Sequence, residues 1–433
     1  MIDSMDDTKH NWAGNFKYST ARRHYPETVD QVREIVARAG KVKALGTRHS
    51  FNSIADCSED HISLSRLDRV IRIDPDRKTV TVEAGIRYGH LGEHLHHAGY
   101  ALKNMASLPH ISVAGACATA THGSGDANGN LATAVTAMEM VMADGKLVEL
   151  SRESHGSQFD GMVVAFGGLG IVTSLTLDIV PSFLVRQDVY ENLPWAQFEK
   201  HFDAIAATAY SVSFFTDWQK DRVNQVWLKH RVEDGDFREP APTFFGAALA
   251  PVERHPISSV SAEHCTTQHG VPGPCHERLP HFRMDFTPSS GQELQSEYFV
   301  PRQNAVAAFA AVAGMRESIR PLLQISELRT IAADTLWMSP CYRQACVAIH
   351  FTWKPDWPGV RSVLPMIEAN LAPLGARPHW AKLFTFSAEY LQSRYERLPD
   401  FRRLLLQFDP RGKFRNEFLD GYILKEARPI LSP

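Results

Sequence analysis

From Ile111 to Gly125 the chain reads Ile111-Ser112-Val113-Ala114-Gly115-Ala116-Cys117-Ala118-Thr119-Ala120-Thr121-His122-Gly123-Ser124-Gly125, a stretch made almost wholly of small residues. Small side chains let another surface come within van der Waals range of the backbone. Whatever fold the chain takes must therefore bring a surface against this segment. A second glycine-rich stretch, Phe166-Gly167-Gly168-Leu169-Gly170, runs into a β-branched segment over 171–179.

The elements around these stretches can be read from pattern. Thr28 and Gln31 form a capping-box signal, and Val29, Val32, Ile35 and Val36 recur at helical spacing until Gly40. Residues 41–45 read as a short strand running into Gly46, and 62–64 as another. The stretches 70–73 and 79–83 alternate around Asp74-Pro75-Asp76 and predict a hairpin. A helix is predicted over 89–97, with Leu91, Leu95 and Ala98 as its buried stripe. Strands at 135–143 and 146–150 flank Asp144-Gly145, a hairpin signal. Up to about Ser182 this is an α+β pattern. Beyond it aromatics become denser, and 233–290 is rich in proline, histidine and loops. Strands are predicted again at 297–300, 323–331 and 346–353. With 433 residues, two or three domains are expected.

Composition narrows the function classes. Hydrophobic residues make up 44% and charged residues 22%, as in globular proteins with real cores. A net charge of −3 gives no reason to expect a nucleic-acid surface. No apolar run is long enough to span a bilayer. Met1 to Lys9 is polar and lacks an apolar signal core, and Arg22-Arg23 is followed by Tyr25-Pro26-Glu27-Thr28 rather than an apolar stretch. Export is therefore not expected. The six cysteines are scattered without CxxC, which fits free thiols in a reducing cytoplasm.

Gly46-Thr47-Arg48-His49-Ser50 follows the strand at 41–45. Glycine permits a sharp turn, and consecutive N–H groups can then face one anion, a nest suited to a pyrophosphate. Taken alone, this is an ordinary strand-to-loop turn, and His49 an ordinary hydrogen-bonding histidine. No GxGxxG follows the first strand and opens a helix, which argues against an NAD-type site. His90-Leu91-Gly92-Glu93-His94 matches HxxEH, the inverted zinc-peptidase pattern. Such short motifs occur by chance, its histidines fall on the solvated side of the helix, and no metal is expected. Two later strands alternate informatively. Glu327 and Arg329 share one face; His350 and Thr352 share one face of their strand, opposite Val347, Ile349, Phe351 and Trp353. Turned inward, such faces would make a hydrogen-bonding floor for a polyhydroxylated ligand. Each strand alone fits a solvent-facing surface better.

Taken in order, the segments Gly46 to Phe51, Asn104 to Gly115 and Thr121 to Gly125 resemble the bacterial alditol oxidases, within the vanillyl-alcohol oxidase superfamily of FAD oxidoreductases. The likeness continues through Gly270-Val271-Pro272-Gly273-Pro274, Pro288-Ser289-Ser290-Gly291, Ser296-Glu297-Tyr298, Arg377 to Lys382 and Asp409 to Phe414. It spans nearly the whole chain; only the first residues and the loop around 233–255 look unshared.

The resemblance implies an α+β, two-domain architecture. A PCMH-type FAD domain from residues 1–183 and 379–433 would carry an antiparallel-sheet cap from 184–378. It implies FAD lined by Leu45, Gly46, Thr47, Arg48, His49, Ser50, Ala106, Ser107, Ser112, Gly115, Ala118, Thr119, Thr121, His122, Gly123, Gly168, Gly170, Val172, His379 and Asn416, with His49 bonded to the flavin 8α-methyl. A small residue at Ala106, beside the reactive flavin edge, would leave room for dioxygen. The substrate would be a polyol held by Ser107, Glu327, Arg329, His350, Thr352 and Lys382. Lys382 and His350 would sit at the reacting hydroxyl, with the base left open between them. Glu327 would accept from, and Arg329 donate to, the further hydroxyls. A monomer is expected. A sugar-1,4-lactone oxidase on the same fold is the alternative, a flavin binder without turnover a weaker one, and a zinc peptidase through His90, Glu93 and His94 a remote one.

Overall fold

A computed structural model of the protein describes residues 9–219, 221–232, 239–285 and 293–425. The Pro288 to Gly291 motif and residues 233–238 of the loop at 233–255 lie outside them.

The helix at the N-terminal end spans Val29–Arg38, with the Thr28 side chain accepting from the Gln31 N–H at 3.2 Å. Val32 and Val36 are fully buried, and they share a core with Val42, Ile62, Val141 and Ile171. That core holds a three-stranded parallel sheet, in which Asp60–Ser63 lies between Arg22–His24 and Val42–Leu45. A five-stranded antiparallel sheet follows, in the order Val70–Asp74, Thr79–Glu83, Ile171–Asp178, Val135–Val141, Leu147–Ser151. Both hairpins expected from sequence are in it, the second turning at Gly145 with φ 82°. The helix Tyr88–His97 buries Leu91 and Leu95, whereas Ala98, expected in the same stripe, is its exposed C-cap. The small-residue stretch holds a short helix, Val113–Ala118, and otherwise runs as loop.

The second half of the chain builds a ten-stranded sheet, antiparallel throughout. Its centre runs Leu184–Pro194, Arg222–Val232, Ser211–Thr216, Leu323–Ile331, Cys346–Trp353, Leu294–Pro301, Arg377–Pro378. The first three of these strands were not expected from sequence. Ser211–Thr216 is buried at every position and Arg222–Val232 at most, so both faces are covered and no polar–apolar alternation marks them. The apolar side of Cys346–Trp353 (Ile349, Phe351, Trp353) shares a core with Phe309 and Val312 of the helix Ala305–Gly314 and with Val360, Leu364 and Ile367 of Trp357–Leu371. Its polar side is thereby turned away from those helices.

Beyond Lys382 the chain returns to its beginning. The Val42 N–H donates to the Lys413 carbonyl at 3.0 Å, and Asn416 Nδ2 donates to the carbonyls of Ser53, Ile54 and Asp56. All six cysteines are buried and unbridged. Among the described residues no helix is long and apolar enough to cross a membrane.

Candidate active site

One cavity of about 1310 Å³ runs from the loops of the first half of the chain to the polar face of the large sheet. Its near wall is formed by 44–51, by Ala106 and Ser107, by Ser112 to Thr121 with gaps, and by Phe166, Gly167, Leu169, Gly170 and Val172. The small-residue stretch thus faces space rather than protein. Ser112 draws two parts of this wall together: a Cβ at Gly46 would lie 2.7 Å, and one at Gly115 2.9 Å, from its Oγ. Arg48 takes a left-handed turn at φ 63°, and the amides of Thr47, His49 and Ser50 find no backbone acceptor among the described residues.

His49 stacks on Trp12 with ring centroids 5.2 Å apart. Its Nδ1 lies 3.0 Å from Thr47 Oγ1, and its Nε2 is buried with no hydrogen-bond partner among the described residues. Burial, aided by His110, pushes its pKa down to about 3, so the ring is neutral. An uncharged imidazole with a spare buried nitrogen, in a wall of small residues and of amides without a backbone acceptor among the described residues, fits a flavin dinucleotide.

The far wall is a row across three strands. Register pairs Glu297 with His350, and His350 with Glu327, so the three side chains rise from one face. Glu297 is 1% exposed and gathers four neighbours. His122 Nε2 lies at 3.0 Å, Arg329 Nη2 at 2.9 Å, Lys382 Nζ at 3.1 Å and His350 Nδ1 at 3.6 Å. Burial alone would raise its pKa, but Lys382, His122 and Arg329 hold it well below the ordinary carboxylate range. Glu327 is likewise opposed by burial and stabilised as the anion by Arg329 and His281. Lys382 Nζ lies 2.8 Å from His350 Nδ1, and His350 Nε2 lies 3.2 Å from Thr352 Oγ1. Arg329 Nη1 donates to Ser107 Oγ at 3.0 Å, which ties this sheet to the near wall. Burial lowers both Lys382 and His350, the latter to about 4.

The cavity therefore brings together all six expected substrate residues: Ser107, Glu327, Arg329, His350, Thr352 and Lys382. Of the expected cofactor contacts, Leu45 to Ser50, Ala106, Ser107, Ser112, Gly115, Ala118, Thr119, Thr121, His122, Gly170, Val172 and His379 line it. Three do not. Gly123 is packed against Asn104 and the Met105 carbonyl, and Gly168 faces Leu405 and Leu419. Asn416 is spent on three carbonyls. Among the wall residues missed from sequence are Glu297 and His281, the latter 2.7 Å from Glu327 Oε1. Alternation in 294–301 places Gln295 and Glu297 on one face and was available as a signal. His281 lies in a loop with no period to mark it. His90 and His94 are both exposed, and among the described residues no three His, Cys, Asp or Glu side chains gather as metal ligands.

Comparison with known proteins agrees with this geometry. A family model described as an FAD binding domain matches residues 21–151, and one described as D-arabinono-1,4-lactone oxidase matches residues 287–422. Alditol oxidase of a Streptomyces species is 47% identical over 413 residues, covering 94% of this chain and 97% of that protein. L-gulonolactone oxidase of Mus musculus is 26% identical over 442 residues, covering 95% and 97%. Among solved structures, cholesterol oxidase from B. sterolicum shares the fold, with a TM-score of 0.75 at 15% identity over 96% of each chain. With a relative at 47% identity over nearly its full length, and a cavity that joins a dinucleotide cradle to a charged floor, the chain belongs to the alditol oxidase family of FAD-linked oxidoreductases, on the vanillyl-alcohol-oxidase-type fold.

Proposed function

We propose that the protein oxidises the terminal hydroxyl of an acyclic polyol such as xylitol or sorbitol to the aldose, with dioxygen reduced to hydrogen peroxide. The observation that carries this reading is the row of buried donors and acceptors opposite the flavin cradle, within one cavity. Residues 1–183 with 379–433 serve as the FAD domain and 184–378 as the cap.

FAD, when bound, supplies the acceptor for the alcohol's hydride and passes the two electrons to dioxygen. The chain's own groups handle the proton and the orientation. The hydroxyl proton goes to Lys382 and His350, which act as a pair across 2.8 Å. Burial makes the Lys382 ammonium a weaker holder of its proton than an exposed lysine, and Glu297 balances the charge once the proton has arrived. Glu327 accepts from a hydroxyl further along the chain, and Arg329 and Ser107 present donors beside it. Thr352 completes the set. A site so rich in buried polar groups discriminates against substrates that lack matching hydroxyls, because it leaves those groups unpaired. The small side chain of Ala106 leaves room for dioxygen at the flavin edge. His49, neutral and with a nitrogen to spare, serves as the covalent anchor.

The lactone-oxidase model over residues 287–422 favours a second reading, oxidation of a sugar 1,4-lactone at the same site. A peroxide assay of the purified holoenzyme separates the two. Xylitol and sorbitol should yield peroxide, and turnover confined to L-gulono-1,4-lactone would replace the first reading with the second.

A further inference from the structure

Behind the cavity wall lies a buried chain of hydrogen bonds that the chemistry above does not use. Lys229, on the strand Arg222–Val232, is 1% exposed and does not line the cavity. Its Nζ donates to the carbonyls of Leu279 at 2.6 Å and Pro280 at 3.0 Å, and lies 3.1 Å from His281 Nδ1. The other nitrogen of that ring, Nε2, lies 2.7 Å from Glu327 Oε1. Burial lowers the Lys229 pKa to about 7, so below neutral pH it is an ammonium, with three protons and no lone pair, and here it meets three acceptors. His281 Nδ1 must then accept, the ring proton must sit on Nε2, and that proton is donated to Glu327.

The ring is also held in its plane. Phe215 and Trp227 meet it edge-on, with centroids at 5.6 and 5.2 Å. The His281 backbone N–H donates to the Ser107 carbonyl at 2.9 Å, so the loop that carries the ring is latched to the near wall of the cavity. Packing thus fixes where the imidazole lies, while Lys229 on one side and the Glu327 carboxylate on the other both favour hydrogen on Nε2. With Nε2 bare, a lone pair would face the Glu327 carboxylate at 2.7 Å. The carboxylate would then have to turn away from the position in which it can receive a substrate hydroxyl.

We propose that Lys229 is a positioning residue for polyol recognition: through His281 it sets the orientation of Glu327 and hence the affinity for a hydroxyl remote from the reacting carbon. This rests on the polyol reading above, with Glu327 as a substrate acceptor. No reacting atom is touched, so the contact is the same in ground and transition states and should appear in KM rather than kcat.

The test compares Lys229→Met with Lys229→Gln in purified holoenzyme, with xylitol as substrate. A hydrogen bond to a charged group is at stake, so KM in Lys229→Met should rise about tenfold to a hundredfold with kcat nearly unchanged. Lys229→Gln, whose amide can still donate to His281 Nδ1, should recover most of the loss. An equal loss in both variants, a fall in kcat at constant KM, or no change in either would overturn the proposal. Ring 15N signals in the unmutated protein, with His281 assigned by their loss in His281→Gln, give a readout independent of turnover. They should show hydrogen on Nε2, and hydrogen on Nδ1 would overturn the proposal even where Lys229→Met yields no folded protein. Failure of the unmutated enzyme to oxidise xylitol would instead count against the underlying polyol reading, and the ring signals would still stand as a test of the relay.

Discussion

Lys382 Nζ lies 2.8 Å from His350 Nδ1, close enough that a proton on one is shared with the other. Neither group holds a proton as firmly as it would in water: burial and nearby Arg329 lower both, and Lys382 lowers His350 further. Lys382→Ala should therefore abolish flavin reduction by xylitol while leaving flavin content intact. Anaerobic mixing followed by absorbance would show it, and normal reduction would remove Lys382 from the reaction. The pH dependence has a defined sign. A base works in its unprotonated form, so kcat/KM should fall as pH drops through the lowered pKa of the pair, and the acid limb should lie below the range of an exposed lysine.

Glu297 sits under that pair and neutralises it. Replacing it by glutamine leaves Arg329 and Lys382 buried with one fewer counter-charge, which typically costs about 3–5 kcal/mol. Glu297→Gln should lower the melting temperature strongly. Because the Glu297 charge raises the Lys382 pKa, the same variant should move the acid limb of kcat/KM to lower pH. The folded-state pKa of Glu297 lies well below that of an unfolded carboxylate. Its contribution to stability is thus complete above the unfolded value and disappears as pH falls through the folded one. A melting temperature independent of pH across the acid range, with no difference from Glu297→Gln, would show that the charge is not held as described.

Much of this site could be read from sequence because it lies on strands. The pairs Glu327 with Arg329 and His350 with Thr352 share faces by the period of two, and nothing else is needed to group them. Glu297 was within reach of the same argument. What made it central is that its strand lies directly beside Cys346–Trp353, and strand order is set by contacts far apart in sequence. His281 meets Glu327 from a loop, and Lys229 reaches it only through His281, from a strand one removed in the sheet, with no local period at all. The strands Ser211–Thr216 and Arg222–Val232 escaped for a related reason: covered on both faces, they carry no alternation. Asn416, expected at the cofactor, meets the backbone of 53–56 rather than the cavity, since family likeness marks that a residue matters without saying whether it touches ligand or backbone.

That residue gives a separate prediction. Asn416 Nδ2 lies 3.1, 3.0 and 2.9 Å from the carbonyls of Ser53, Ile54 and Asp56, just beyond the loop at 46–50. Leaving buried carbonyls without a donor costs about 1–3 kcal/mol. Asn416→Ala should lower the melting temperature and loosen retention of flavin during purification, while kcat per bound flavin stays close to the unmutated value. A direct cofactor contact would instead change the flavin spectrum at full occupancy.

The proposed flavin anchor at His49 can be tested without any kinetics. A nucleophilic attachment needs a neutral imidazole, and burial with His110 nearby pushes this one down to about 3. It also needs a nitrogen not already committed, and Nε2 is buried without a partner while Nδ1 faces Thr47 Oγ1. Stacking on Trp12 holds the ring in plane at the edge of the cradle. Acid precipitation of the holoenzyme should consequently leave the yellow colour in the protein pellet, and a peptide containing His49 should carry the flavin mass after digestion. His49→Ala should release its flavin to the supernatant under the same treatment. An imidazole substituent draws electron density from the flavin and raises its potential, which favours hydride transfer from an unactivated alcohol. The variant, reloaded with free FAD, should therefore be reduced by xylitol more slowly and show a lower midpoint potential. A colourless pellet from the unmutated protein, with all flavin in the supernatant, would rule out the covalent bond and leave His49 as a stacking contact alone.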